Sequence, residues 1–166
     1  MQVAELMTKD VKACGLEDTL DKAAQIFWDC DCGFAPVVDE RGRAVGVITD
    51  RDACMAAYTQ GKQLSEIPVT AVMSTTVYSC NADAPISAAA TLMGENRVRR
   101  LPVVDSDSGR LVGVLSINDI AVQSARERGA RHREISEKQV ADTLAAVSMP
   151  RHPKPEQIQA LMEKAV

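Results

Sequence analysis

An α/β (α+β) fold assembled from two copies of one small unit is predicted by three observations. The chain carries a duplication at an offset of 66 residues, both copies share a strand, helix, strand, strand, helix order, and 46% of the 166 residues are apolar, enough to fill a core. Leu6-Met7 returns as Val72-Met73, Val11 as Val77 and Cys14 as Cys80. Ala35-Pro36-Val37-Val38-Asp39 returns as Leu101-Pro102-Val103-Val104-Asp105, and after one inserted residue Gly42 to Thr49 matches Gly109 to Ser116. Agreement over so long a stretch marks residues 3–60 as repeat 1, 61–66 as a linker around Gly61-Lys62-Gln63, and 67–125 as repeat 2.

Each element follows from its own pattern. Leu20, Ala23, Ala24 and Phe27, and in the second copy Ile86, Ala89, Ala90 and Met93, recur at i, i+3, i+4 and i+7, the spacing of one helix face. Pro85 suits the first turn of the second helix, where a missing N–H costs nothing, and Asp18 and Asp83 stand upstream as N-cap candidates. The Val-rich runs Ala35 to Asp39 and Ala44 to Thr49, separated by Asp39-Glu40-Arg41-Gly42, predict a hairpin. Helices are expected over Asp50 to Tyr58 and Asn118 to Arg126. From about residue 131 to 166 the chain has no counterpart in the repeats. Val140, Leu144 and Val147 form one apolar stripe, Pro150, Pro153 and Pro155 interrupt it, and Ile158, Leu161 and Met162 begin another. Helices this short are marginal alone, so the appendage is expected to dock on the core or on a second subunit.

Composition narrows the function classes. Nineteen basic and twenty-three acidic residues give a formal charge of −4, and aromatics are 3%, which argues against an electrostatic or base-stacking nucleic-acid surface. Arg126, Arg128, Arg131, His132 and Arg133 are interleaved with Glu127 and Glu134, as in an exposed helix with i,i+4 charge pairs. No apolar run approaches the ~20 residues of a membrane helix, so no membrane partner is expected. Five scattered cysteines and the absence of a leader pattern point to a reducing, cytoplasmic setting.

The hairpin and the helix after it resemble the CBS domain, named after cystathionine β-synthase and found in tandem pairs called Bateman modules. Val45-Gly46-Val47-Ile48-Thr49-Asp50-Arg51-Asp52 and Val112-Gly113-Val114-Leu115-Ser116-Ile117-Asn118-Asp119, each preceded by Pro-Val-Val-Asp, carry the resemblance over about three quarters of the chain. It implies two repeats packed as a pseudo-two-fold pair that binds an adenosine-containing ligand, AMP, ADP, ATP or S-adenosylmethionine, in the inter-repeat clefts. It also implies a homodimer joined through helical faces into a flat disc, and a separate regulated protein as partner. Within that frame Thr49 with Asp52, and Ser116 with Asp119, would meet the ribose, because a carboxylate is an acceptor that can take both hydroxyls of a cis-diol. The same pairs also read as helix capping boxes, and the two roles are compatible.

The resemblance further places adenine near Val11 and Ala13, or Val77 and Tyr78, which read equally as core strand residues. Phosphate would fall to Arg99 and Arg100, with Arg97 beside them, where repeat 1 has Asp31, Gly33 and Phe34; three such arginines also describe a solvated face. Arg51 is a weaker candidate. Cys30-x-Cys32 lacks the spacing and companions of a metal or redox pair, and both histidines lie in the appendage, so no metal site and no catalytic residues are expected. Neither G-x-G-x-x-G nor G-x-x-x-x-G-K-[ST] occurs. The expected role is a sensor with no catalytic cofactor, not an enzyme; the competing role is a ligand-free interaction or dimerisation module.

Overall fold

The computed structural model describes residues 1–127 and 135–149. A one-turn helix α1 (Val3–Leu6) precedes β1 (Cys14–Gly15), α2 (Leu20–Asp29), β2 (Phe34–Val38), β3 (Ala44–Thr49) and α3 (Asp50–Gln60). Two 3-10 turns, Leu64–Glu66 and Val69–Ala71, lead into β4 (Cys80–Asn81), α4 (Ile86–Asn96), β5 (Arg100–Val104), β6 (Leu111–Ser116), α5 (Ile117–Arg126) and α6 (Glu137–Ser148). Each repeat therefore has its own three-stranded sheet, ordered β1-β2-β3 and β4-β5-β6, with a parallel first pair and an antiparallel hairpin. The two hairpins carry equivalent register irregularities, between Val37 and Val38 and between Val103 and Val104. Gly42 and Gly109 turn the hairpins with φ of 76° and 67°, a region open to glycine because it lacks a Cβ.

The helix starts differ in detail from the sequence expectation. Thr19, not Asp18, is the N-cap residue of α2, because the Asp18 carboxylate accepts from Gly15 N at 2.7 Å and so serves the turn before it. Pro85 is itself the N-cap of α4, and Asp83 accepts from Ser106 Oγ at 2.8 Å instead of capping. In α2 the buried positions are Leu20, Ala23 and Ile26, while Phe27 is only half-buried. Gly61, at φ 61°, ends α3 as a left-handed cap.

The cores do not follow the sequence repeats. Val3 of α1 is fully buried in the second core, among Ile86, Met93, Leu101, Leu115 and Ile120, and its N–H donates to Ala84 O at 2.9 Å. Reciprocally, Ile67 and Val69 are fully buried in the first core with Leu20, Ile26, Val37 and Ile48, and Val69 N donates to Asp18 O at 2.9 Å. Each repeat thus lends its leading segment to the other. Burying such a side chain is worth about 1.5–3 kcal/mol, so the exchange ties the repeats together.

Between α1 and β1 the chain crosses the opposite sheet, where Thr8 and Val114 exchange hydrogen bonds of 2.9 and 3.0 Å; Ser74 and Val47 repeat the arrangement at 2.9 and 3.0 Å. These crossings require glycine beneath them. A Cβ on Gly113 would stand 2.5 Å from Met7 Sδ and 2.8 Å from Thr8 O, and one on Gly46 would stand 2.5 Å from Met73 Sδ. The resulting pair has the pseudo-two-fold symmetry expected.

In the appendage, Ile135 is buried in the second core and its carbonyl accepts from Ser124 Oγ at 3.3 Å. Helix α6, capped by Ser136, packs across α4 and α5 with Val140, Thr143 and Val147 inward; Gly94 of α4 faces Thr143 and Ala146. The expected stripe is corrected at one position, since Leu144 is 49% exposed and Thr143 takes its place, its hydroxyl satisfied by Gln139 O at 2.8 Å. The prolines from Pro150, the stripe of Ile158, Leu161 and Met162, and Arg128 to Arg133 lie outside the described residues.

Candidate functional site

The strand-to-helix junctions are built alike in the two repeats. At the end of β6, Ser116 is extended (φ −114°, ψ 158°) and becomes the N-cap of α5, its Oγ accepting from Asp119 N at 3.2 Å. The Asp119 carboxylate closes back, with Oδ2 accepting from Ser116 N at 2.8 Å and from Ser116 Oγ at 2.7 Å. Thr49 and Asp52 do the same at α3, with contacts of 3.0, 2.6 and 3.2 Å. The capping role is therefore present in both copies. It engages one carboxylate oxygen, Oδ2, and each half-buried aspartate keeps Oδ1 outside the box. A charged acceptor near a helix N-terminus is also favoured by the exposed backbone N–H groups of the first turn.

What separates the two junctions is their surroundings. A cavity of about 220 Å³ opens between the repeats and is lined by Ser116, Asp119, Val114 and Arg100 of repeat 2. Repeat 1 supplies Thr8, Val11 and Lys12 from the crossing segment, Ile26 and Cys30 from the end of α2, and Cys32 and Phe34 at the start of β2. Arg100 reaches it because hairpin register pairs Arg100 with Ser116 across β5 and β6; the same register pairs Phe34 with Thr49 in repeat 1. A smaller depression of about 130 Å³ continues from Arg100 and Ser116 over Arg99, Ile117 and Asn118. Lys12 is held 3.5 Å from Asp29, at the rim.

Of the residues singled out in the sequence, Val11, Arg100, Ser116 and Asp119 come together in this cavity, and Arg99 stands in the depression beside it. Thr49, Asp52, Val77, Tyr78 and Ala13 line neither. Ala13 precedes the fully buried Cys14 of β1, and Tyr78 is partly exposed in the segment before β4. Arg97 caps the C-terminus of α4 in the left-handed region, φ 54°.

Sequence reasoning missed Thr8, Lys12, Ile26, Cys30, Cys32, Phe34 and Val114 as lining residues. The repeat offset makes Phe34 the counterpart of Arg100 and sets it opposite Thr49, but only the packing of the repeats brings it to the cavity at Ser116 and Asp119. Thr8 and Lys12 carried no signal, because only the crossing of the chain over β6 brings them in. Among the described residues no group of three or more His, Cys, Asp or Glu could hold a metal ion, and no helix is long and apolar enough to cross a membrane.

Two equivalent β-α-β-β-α units, exchanged leading segments and a Ser/Thr-x-x-Asp capping box at each strand-to-helix junction define a tandem CBS pair. The sequence model of the CBS domain matches residues 3–58 and 69–125, and the chain belongs to the CBS domain family. It is 34% identical over 128 residues to the CBS domain-containing protein YhcV of Bacillus subtilis, covering 77% of this chain and 89% of that protein. Among solved structures it is similar to Hypoxic Response Protein I with two coordinated zinc ions, at 30% identity and a TM-score of 0.66, covering 74% and 98% of the two chains. It is also similar to the CBS domain pair of protein MJ0100 in complex with 5′-methylthioadenosine and S-adenosyl-L-methionine, at 26% identity and a TM-score of 0.67, covering 76% and 98%.

Proposed function

We propose that this chain is a regulatory module that binds an adenosine-containing ligand whose tail carries a phosphate or a carboxylate, AMP, ADP, ATP or S-adenosylmethionine, in the cavity at Ser116 and Asp119. The observation that carries the reading is the convergence of Asp119, one carboxylate oxygen outside its capping box, with Arg100 in one inter-repeat cavity. The carboxylate suits a ribose diol. The guanidinium suits a phosphate or an amino-acid carboxylate, which it can bind in bidentate fashion. The adenosine ligands of the MJ0100 pair support the same class of ligand here. In this reading the module signals ligand occupancy to a regulated protein partner.

The test is thermal denaturation and calorimetry of the full chain with adenosine, AMP, ATP and S-adenosylmethionine. A ligand at 100 times its Kd stabilises by about 2.7 kcal/mol, a rise in Tm of roughly 5–10 °C at this size. No heat and no shift at millimolar concentration for all four refutes the reading.

The same proposal assigns the module a homodimer in the cytoplasm, built through one helical face. Helix α6 covers α4 and α5, whereas α2 and α3 display Trp28 and Tyr58, 88% and 81% exposed, with Met55 beside them. A disc closed through both faces would require α6 to leave; a two-fold contact through α2 and α3 does not. Light scattering should report a dimer for the wild type and a monomer for the Trp28→Ala/Tyr58→Ala double variant; a wild-type monomer at high micromolar concentration overturns the assignment.

A further inference from the structure

The cavity wall opposite Asp119 carries two thiols. Cys30, the C-cap residue of α2, is exposed and Cys32 is half-buried, and both line the cavity. Asp31 between them adopts a left-handed conformation, φ 47°, unusual for a residue with a Cβ, and this reversal brings the two flanking side chains to one wall. Their environments differ. Cys32 Sγ donates to Phe34 O at 3.4 Å and lies 3.8 Å from Ile26 O, whereas the Cys30 side chain has no hydrogen-bond partner among the described residues. Cys14 and Cys80 are buried in the two cores, and Cys54 is exposed on α3 away from the cavity.

We propose that Cys30 is a thiol-modification site inside the ligand cavity, and that S-thiolation there and ligand binding exclude one another. The inference rests on the assignment of the ligand to this cavity. The co-reactant is a low-molecular-weight disulfide. The Cys30 thiolate attacks one of its sulfurs, a new S–S bond joins that sulfur to Sγ, the original S–S bond breaks, and the second sulfur leaves as a thiolate that takes up the proton Cys30 released. The Cys30 sulfur rises to the disulfide level as the departing sulfur falls to the thiol level, so the exchange balances without a further oxidant. The adduct then occupies space between Ile26, Phe34 and Asp119 that a nucleoside needs, and a reducing thiol reverses the change. The module would thereby report on the thiol-disulfide balance as well as on the ligand.

The full chain is treated with glutathione disulfide, with and without saturating AMP or S-adenosylmethionine, and adduct formation at each cysteine is followed by peptide mass mapping. Bound ligand should slow the reaction at Cys30 at least 10-fold and leave that at Cys54 unchanged. The glutathionylated protein should bind the same ligand at least 10-fold more weakly, with full recovery after dithiothreitol. Glutathione disulfide should leave the affinity of Cys30→Ser at that variant's own untreated value, while Cys32→Ser should still respond. A Cys30 that reacts at the same rate with ligand bound, or a Cys30 adduct that binds as tightly as the free thiol, overturns the proposal and leaves the ligand assignment standing. Absence of binding to the untreated protein overturns the ligand assignment, and the coupling with it.

Discussion

Replacing Asp119 with Asn separates the two jobs its carboxylate performs. Oδ2 closes the capping box on Ser116 N and Oγ at 2.8 and 2.7 Å, and an amide oxygen can take over that position at nearly the same geometry. The amide nitrogen then replaces Oδ1 and presents donors where a ribose diol also presents donors. A charged hydrogen bond is worth about 1.5–3 kcal/mol, so Asp119→Asn should weaken binding of AMP or S-adenosylmethionine by roughly 10- to 100-fold. The cap survives, and its stability should fall by less than about 0.5 kcal/mol, or roughly 1–2 °C in Tm. Ser116→Ala reverses the balance: losing an N-cap costs about 1 kcal/mol and roughly 2–4 °C. Asp52→Asn, at a junction that lines neither depression, should change affinity by less than about 3-fold, below the weight of one such bond. Calorimetry and thermal denaturation of the three variants decide the matter. Equal affinity in wild type and Asp119→Asn would return Asp119 to a capping residue only, and equal losses at Asp52 and Asp119 would refute the asymmetry of the clefts.

Arg100→Ala should weaken ATP more than AMP and AMP more than adenosine, with the loss shrinking as salt rises, and Arg99→Ala should show the same order at smaller size because it lines only the smaller depression and not the cavity at Asp119; three equal losses would make these arginines structural. Gly113→Ala should destabilise by about 1–3 kcal/mol in urea unfolding, since its Cβ meets Thr8 O at 2.8 Å, and Gly46→Ala by less, since Ser74 O is 3.3 Å away and the Met73 side chain can move; equal costs would refute the backbone argument. Burial raises the thiols of Cys14 and Cys80 from 9.0 to about 11. The unfolded chain therefore releases these protons first, so their contribution to stability is complete below pH 9 and is lost as pH rises toward 11. Cys14→Ala/Cys80→Ala should flatten that part of the stability profile, and an unchanged slope would count against the burial effect.

By itself the sequence determined the features carried by the repeat, while the local helix starts at Asp18 and Asp83 needed the structure to place them at Thr19 and Pro85. The offset of 66 residues specified two units, Val-rich runs around Gly42 and Gly109 specified both hairpins, and Ser/Thr-x-x-Asp specified two capping boxes, while the register that sets Arg100 opposite Ser116 came from the structure. The tertiary structure alone decided which core each short segment joins. Val3 and Val69 look the same to any pattern of apolar residues, because four residues fill one slot on either repeat equally well until the crossings at Thr8 and Ser74 are made. The cavity is likewise a tertiary product: Thr8, Lys12, Cys30 and Asp119 meet only where the crossing segment passes over β6, and no spacing along the chain encodes that meeting. Helix α6 shows the limit at finer scale. Its periodicity marked Leu144 as inward, but Thr143 lies only one residue away, ~100° around the helix, and packing across α4 and α5 buries Thr143 and leaves Leu144 exposed. Periodicity specifies that a helix has a buried side to within about one residue; the shape of the surface it meets selects the residues that go in.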